Sequence, residues 1–219
     1  MKYFLFALLP LLLASCTLVT SAKTLHFQDS VIAEDTLWSG SIQIDGRVEV
    51  LRSATLTIAP GTDITFVYRD EDRDGLGDGT LVVKGQLIAV GTASMPIRFR
   101  SANSNPQPGD WLEIAVDFSK RTHLRYCEIR DSAYTLHAHF TNGIVQDSHI
   151  HHNLDGCRIG QATVVLRHNL IEDNIGKGIN FRNSRVTVQN NMIRNNISGI
   201  FFFENDQAYE ISGNNIVDN

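Results

Sequence analysis

The chain has 219 residues and a formal net charge of −5 at pH 7. Its length fits one domain. The acidic balance and the absence of a basic stripe argue against a nucleic-acid groove, so we expect no nucleic-acid partner. The sequence also contains no nucleotide-binding loop, dinucleotide fingerprint or Ser-His-Asp arrangement, which argues against the enzyme classes that depend on them.

Residues 1–15 have the pattern of a secretory leader. Lys2 supplies the positive start, and the run from Phe4 to Leu13 supplies a short apolar core. This run is too short for a comfortable membrane span. We therefore predict that residues 1–15 are a signal peptide and not part of the fold.

The leader ends in a tetrapeptide, Leu13-Ala14-Ser15-Cys16, which resembles the bacterial lipobox. The resemblance implies that Cys16 is lipidated and that the mature protein belongs to the bacterial cell envelope, held to a membrane by a lipid anchor. By analogy with lipoprotein sorting, Thr17 in place of an aspartate indicates the outer membrane, with the protein facing the periplasm or the surface. The alternative is an ordinary secretory signal, cleaved near Ala22, and release into the periplasm.

Beyond the leader we predict two regions. Residues 16–51 form an anchor segment and an N-terminal cap, and residues 52–219 form a repeating domain. An acidic loop at residues 69–79 is inserted into the first part of that domain.

The acidic loop carries Asp70, Asp72 and Asp74 at alternate positions, then a turn-forming Gly75, and Asp78 three residues later. Such an oxygen-rich loop suits a hard cation. The motif resembles the calcium loops of extracellular repeat proteins, although it lacks the glutamate that an EF-hand has at its twelfth position. The resemblance implies a structural Ca2+ held by the four aspartates. The alternative is a solvated acidic hairpin tip.

From Ser148 onward one pattern recurs four times, and its central isoleucines are spaced 21, 22 and 23 residues apart. Each unit has three short apolar stretches, and none of them sustains a helical period. A period near 22 that drifts by one residue indicates a solenoid with three strands in each coil and a dry interior. The isoleucines are Ile150, Ile171, Ile193 and Ile216, with Ile129 upstream in the same column.

Polar residues recur at fixed places between the apolar stretches. We predict that the asparagines tolerate unusual backbone angles at a repeated turn and that their amides bond the amide of the next coil. We predict a recurring tight bend at the glycines. One asparagine file is Asn169, Asn191 and Asn214, the other is Asn153, Asn174, Asn196 and Asn219, and the glycines are Gly156, Gly178 and Gly199.

With these columns the chain resembles the right-handed parallel β-helix repeat proteins of the pectate-lyase-like superfamily. That group includes polysaccharide lyases, polygalacturonases and a periplasmic copper-binding family. The likeness covers about residues 110–219 and, more weakly, residues 40–100. It implies an all-β fold, a right-handed parallel β-helix with coils of about 22 residues. It does not imply one activity, because this fold hosts unrelated chemistries.

One strand of each coil offers the best surface for a ligand. If Leu136, Cys157, Ile179 and Ile200 face inward, the residues after them face outward. Aromatic rings stack on sugar rings, and arginine offers a planar fork to carboxylates or sulfates. The alternative is that the loop around residues 91–109, or a partner, covers the exposed rings. The predicted ligand-binding residues are His137, Arg158, Asn180 and Phe201 in one outward file and His139, Arg182 and Phe203 in the next, with Gly160 between His139 and Arg182.

His149, His151 and His152 invite a metal hypothesis. A closed copper or zinc site needs three or four convergent ligands. Glu128 and Glu172 are the only additional candidates, and the repeat places them beside different histidines. Solvated turn histidines are the favoured interpretation.

The remaining cysteines, Cys127 and Cys157, fall in different slots of the repeat. Two buried free thiols are therefore predicted in place of a disulfide. The chain ends partway through a repeat, and we expect the C-terminal rung to support self-association or docking of a partner.

We therefore expect a non-catalytic envelope protein that binds a polysaccharide or another envelope protein. Two alternatives stay open, a polysaccharide lyase or hydrolase and a periplasmic metal-binding accessory protein. Arg158, Arg182 or Lys177 could supply a lyase base, but no outward aspartate cluster accompanies them. We find no carboxylate pair of the kind that a hydrolase needs.

Overall fold

The computed structural model describes residues 23–219. The predicted signal peptide and Cys16 lie outside the described residues. Residues 23–219 contain strands and turns only. Accordingly, this part of the chain has no helix that could span a membrane.

Twenty-three strands follow one another within residues 23–219. They are β1 (Leu25–Ile32), β2 (Thr36–Trp38), β3 (Ser41–Val50), β4 (Thr55–Ile58), β5 (Asp63–Phe66), β6 (Thr80–Val83), β7 (Gln86–Val90), β8 (Ile97–Ser101), β9 (Trp111–Asp117), β10 (Arg121–Arg125), β11 (Cys127–Arg130), β12 (Ser132–His139), β13 (Asn142–Gln146), β14 (His149–His151), β15 (Asp155–Gly160), β16 (Thr163–Arg167), β17 (Leu170–Glu172), β18 (Lys177–Arg182), β19 (Arg185–Gln189), β20 (Met192–Arg194), β21 (Ser198–Phe203), β22 (Tyr209–Ser212) and β23 (Asn215–Val217).

The strands stack into three faces, and each complete coil gives one strand to each face. The first face is β3, β6, β9, β12, β15, β18 and β21, and the second is β3, β5, β8, β11, β14, β17, β20 and β23. The third face is β2, β4, β7, β10, β13, β16, β19 and β22. The long β3 reaches both of the first two faces, since its two halves pair with β5 and β6. All of these pairings are parallel, so the chain forms the predicted all-β parallel β-helix.

The stack begins earlier than the predicted boundary at residue 52. Strands β2 and β3 pair in register with β4, β5 and β6, so residues 36–50 belong to the first coil. The reason is that apolar and polar residues alternate in this segment, so that one set of side chains points into the core. These buried side chains are Trp38, Ile42, Ile44 and Val48. Only β1 lies outside the coil as an end strand on β3.

The predicted isoleucine column is confirmed. Ile129, Ile150, Ile171 and Ile193 pair one above the next and have no exposed surface. Ile216 continues the column but is 44% exposed, because it lies on the last coil. The other core side chains of that coil are also open to solvent, namely Phe202, Tyr209 and Ile211. Self-association through this end stays a prediction.

Each corner of the coil uses a residue with a left-handed backbone, and these residues also form columns. We predicted this conformation for the asparagine files, but it belongs instead to the residue just before each asparagine. The positive φ angles belong to Tyr126, Asp147, His168, Asn190 and Gly213 between the third and second faces, to Asp131, His152, Asp173, Asn195 and Asp218 between the second and first faces, and to Phe118, Phe140, Gln161, Asn183 and Glu204 between the first and third faces.

The predicted bonding between asparagine amides is confirmed. Asn153 Nδ2 donates to Asn174 Oδ1 at 2.9 Å, and Asn174 Nδ2 donates to Asn196 Oδ1 at 2.9 Å. The backbone N–H of each asparagine donates to the same oxygen, as from Asn153 N to Asn174 Oδ1 at 3.1 Å. A second ladder runs from Asn169 through Asn191 to Asn214. These side chains satisfy buried backbone groups that no strand pairs at the corners.

The glycines Gly156, Gly178 and Gly199 do not mark a bend. They lie within β15, β18 and β21, without positive φ, and are buried one above another. A Cβ at Gly156 would collide with the carbonyl oxygen of Gly178. Close approach of successive coils, not a turn, therefore requires glycine here.

Both cysteines are free and buried, as predicted. Burial raises the pKa of the Cys127 and Cys157 thiols to about 12. The thiols are therefore core side chains without nucleophilic character at neutral pH.

Candidate functional site

The first face brings the predicted ligand-binding residues together. In one outward file His137 pairs with Arg158, which pairs with Asn180, which pairs with Phe201. In the next file the order is His139, Gly160, Arg182 and Phe203. The inward neighbours Leu136, Cys157 and Ile179 are buried, as the prediction required.

These residues line a pocket of about 280 Å³. Ligand pockets for small molecules commonly enclose about 300 to 1,000 Å³, so this one has room for a single ring and its substituents. Phe201 lies outside the lining and Ile159 joins it. Phe201 and Phe203 are 40% and 41% exposed, so no described part of the chain covers them. The lining is His137, His139, Arg158, Ile159, Gly160, Asn180, Arg182 and Phe203.

The cations of this face lie against aromatic rings. The Arg158 guanidinium is 4.2 Å from the Tyr134 ring centre, the Lys177 ammonium is 5.3 Å from that of Phe201, and the Arg182 guanidinium is 5.9 Å from that of Phe203. Within residues 23–219 none of these three cations forms an ion pair. On the other faces, by contrast, arginines such as Arg100 bind carboxylates directly, in that case Asp63 at 2.7 Å. Cation–π contact orients the cations without neutralising them.

Two histidines form the upper wall of the pocket. His137 Nδ1 lies 2.8 Å from Glu113 Oε2, and the His137 and His139 ring centres are 4.5 Å apart. A Cβ at Gly160 would lie 2.6 Å from His139 Cδ2, so glycine at 160 makes room for that ring. Burial is the main cause that lowers the pKa of His139; the neighbouring His137 and Arg182 act in the same direction, and Asp117 and Glu113 act against it.

Glu113 and Tyr134 belong to this surface but did not emerge from the sequence, and Lys177 emerged only as a candidate lyase base. The pairing of β12 with β9 is irregular between Tyr134 and Leu136, which inserts one residue into the register. Ala115 is the register partner of His137, whereas the carboxylate that contacts His137 reaches it diagonally from Glu113, two residues earlier on β9. A count by the period finds register partners and not such diagonal contacts.

The acidic loop brings three of its four predicted ligands together. Asp70, Asp72 and Asp74 each offer a carboxylate oxygen, and these oxygens lie within 4.8 Å of one another. Asp78 lies apart from this group, and its Oδ2 accepts a hydrogen bond from Glu71 N at 2.8 Å. Gly75 has φ 89°, which confirms the predicted turn.

The histidines of β14 lie side by side, with ring centres 3.9 Å apart, but their Nε2 atoms contact different carboxylates. His149 Nε2 lies 2.9 Å from Glu172 Oε1, while His151 Nε2 lies 3.4 Å from Glu128 Oε1. His151 and the nearby arginines lower the pKa of Glu128 to about 2. Among residues 23–219 the only histidine, cysteine and carboxylate group with metal-binding spacing is the aspartate cluster. His152 is exposed, as expected for a solvated turn histidine, but His149 and His151 are half-buried and lie against carboxylates.

Comparison with known families supports the architecture. A family described as right handed beta helix region matches residues 109–219. The chain belongs to this family. No curated protein and no solved structure matches the chain.

The part of the chain that matches this β-helix family contains β9 to β23 and therefore the whole pocket of the first face. The acidic loop precedes it. Membership establishes the coil and its handedness, and it names no ligand or reaction. The function therefore depends on the residues of the pocket.

Proposed function

We propose that the protein binds an acidic polysaccharide through the pocket of the first face. The observation that carries this proposal is the set of three cations, Arg158, Lys177 and Arg182, which lie on aromatic rings and form no ion pair within residues 23–219. Each keeps its charge available for an anionic group. A guanidinium binds a carboxylate or a sulfate through two parallel hydrogen bonds.

The shape of the pocket favours a sugar over a protein surface. It is small and concave, and it combines an exposed phenylalanine with the Asn180 amide and two imidazoles. The aromatic face suits the apolar side of a sugar ring, while amide and imidazole groups suit its hydroxyls. The lipobox-like tetrapeptide ending at Cys16 supports an envelope location, where such glycans occur. An envelope protein that carries clustered acidic side chains is the alternative occupant.

The binding proposal predicts the effect of two substitutions. The variant Phe201→Ala with Phe203→Ala should lose retention on immobilised polygalacturonate and on heparin, because both exposed rings disappear. Arg158→Gln should weaken binding about tenfold, since one charge-assisted hydrogen-bonding group is lost. Isothermal titration with soluble oligosaccharides gives the affinities.

The matched control is Ile175→Ala with Ile197→Ala, which removes two exposed apolar side chains from a different part of the coil. It should bind as the parent protein does. Undiminished retention of the phenylalanine variant would show that the polysaccharide does not bind at this pocket. Unsaturated sugar products from the parent protein would instead favour the lyase alternative.

The state of His139 predicts a pH dependence of binding. A bound anion favours the protonated ring, so binding takes up a proton. Affinity for heparin, whose sulfates stay charged, should rise as the pH falls and level off below the lowered pKa of His139 in the free protein. Because His137, Glu113 and Asp117 also face this ring, the informative quantity is the difference between the parent and His139→Gln. Identical pH profiles for the two proteins would show that His139 does not contribute to binding.

We also propose that Asp70, Asp72 and Asp74 hold a structural calcium ion. Three carboxylate oxygens within 4.8 Å of one another suit a cation whose ligands lie at about 2.3–2.6 Å. The backbone N–H groups of Asp74, Gly75 and Leu76 donate to these carboxylates and orient them. Leu76 packs near Gly109 and Leu154, so ordering this loop would strengthen the corner beneath it.

Removing two of these ligands tests the calcium proposal. Asp72→Ala with Asp74→Ala should lower the melting temperature in calcium but not in chelator, since only the calcium-bound state loses ligands. Glu71→Gln is the matched control, because Glu71 lies in the same loop and pairs with Arg69 at 3.2 Å instead. Its melting temperature should still respond to calcium. A parent protein that melts at one temperature with and without chelator contradicts the proposal.

A further inference from the structure

Two exposed phenylalanines stack at the corner between the first and third faces, immediately after the strands that carry Asp117 and His139. The Phe118 and Phe140 ring centres are 4.8 Å apart and the rings are nearly parallel, at 10°. Phe118 is 49% exposed and Phe140 is 47% exposed. The Arg52 guanidinium lies 5.7 Å from the Phe118 ring centre, but about half of each ring is still exposed, so burial does not explain them.

The backbone at both positions is unfavourable for so large a residue. Phe118 has φ 55° and Phe140 has φ 49°. Bulky side chains rarely adopt this left-handed conformation, and asparagine adopts it readily. The same corner position holds Asn183 two coils after Phe140. Aromatic residues that are strained, exposed and stacked are best explained by a contact with another molecule.

Beside Phe140 the corner opens into a groove of about 570 Å³. Its lining is rich in amides, with Asn142, Gln161, Asn183 and Gln207, and Arg185 is its only charged residue. Amides donate and accept hydrogen bonds without charge, which suits sugar hydroxyls. This chemistry differs from that of the first-face pocket, whose lining contains Arg158 and Arg182.

A third cavity, of about 380 Å³, shares lining residues with both sites. It shares Arg182 with the first-face pocket and Gln161 and Asn183 with the groove. Glu204 and Asp206 also line it. Carboxylates accept hydrogen bonds from hydroxyls but repel an anionic group. A glycan that passes along this path therefore meets a cationic site, an acidic stretch and then a neutral site beside an aromatic ring.

We infer that Phe118, Phe140 and the adjoining amide groove form a second subsite, which binds neutral sugars of the same glycan chain. This inference rests on the proposed function of the first-face pocket. It specifies the ligand as a heteroglycan in which acidic sugars alternate with neutral ones. A polyuronate, with a carboxylate on every sugar, would meet Glu204 and Asp206 unfavourably.

The test uses hyaluronan oligosaccharides, in which uronate alternates with a neutral amino sugar, and isothermal titration calorimetry. The parent protein should bind an octasaccharide about tenfold more tightly than a disaccharide, because only the longer chain reaches the corner. Phe140→Asn should remove this gain and bind both lengths with similar affinity. Asparagine tolerates the left-handed backbone, so this variant should stay folded, and its melting temperature verifies that.

Phe140→Tyr, which keeps the ring, should retain the gain. An oligogalacturonate octasaccharide should gain less from its length than the hyaluronan octasaccharide does. If Phe140→Asn keeps the full gain, or if the parent shows no gain with length, the second subsite is wrong while the first-face pocket stands. If the parent binds neither length of hyaluronan but is retained on heparin, the second subsite is contradicted and the first-face pocket stands. If it also fails to bind heparin and polygalacturonate, both the proposed function and the second subsite are contradicted.

Discussion

The register between successive coils is the constraint on which the rest of the structure depends. Buried asparagines fix it at two corners, because each amide bonds both the backbone and the side chain of its counterpart in the adjacent coil. A slip by one residue would turn every inward side chain outward and leave those buried groups without partners. The isoleucine column and the asparagine ladders therefore require the same alignment of the coils, and each stabilises the register that the other needs.

The candidate site follows from that alignment. Outward residues that are about 22 positions apart in sequence become neighbours on the first face, so an arginine from one coil and a phenylalanine from another can share a pocket. The two-residue period of the strand separates this polar file from the buried column beside it. The outward residues can therefore differ between members of the family without disturbing the core. This explains why family membership leaves the function open.

Much of the fold and part of the site could be predicted from the sequence, because columns of like residues are visible as a period. The coil, the isoleucine column, the amide ladders and most of the pocket lining were predicted in this way. What was missed is what the period does not show: Glu113 reaches His137 diagonally across the strands, and the left-handed conformation falls one residue before each asparagine. Phe118 and Phe140 escaped notice because later coils have Gln161 and Asn183 at that position. The start of the stack at Thr36 was missed because the first coil lacks the asparagines that mark the later ones.

The central claim is that the asparagine ladders hold the coils in register, and urea denaturation of Asn174→Ala tests it most directly. Asn174 is buried, accepts from Asn153 and donates to Asn196. Its removal should lower the free energy of unfolding by about 2–4 kcal/mol, because Asn153 loses its buried partner. Asp173→Asn, at the half-buried residue beside it, keeps an oxygen that can accept from Asn195 and should change that free energy by less than about 0.5 kcal/mol. A loss for Asn174→Ala no larger than that for Asp173→Asn would show that the ladders do not determine the register.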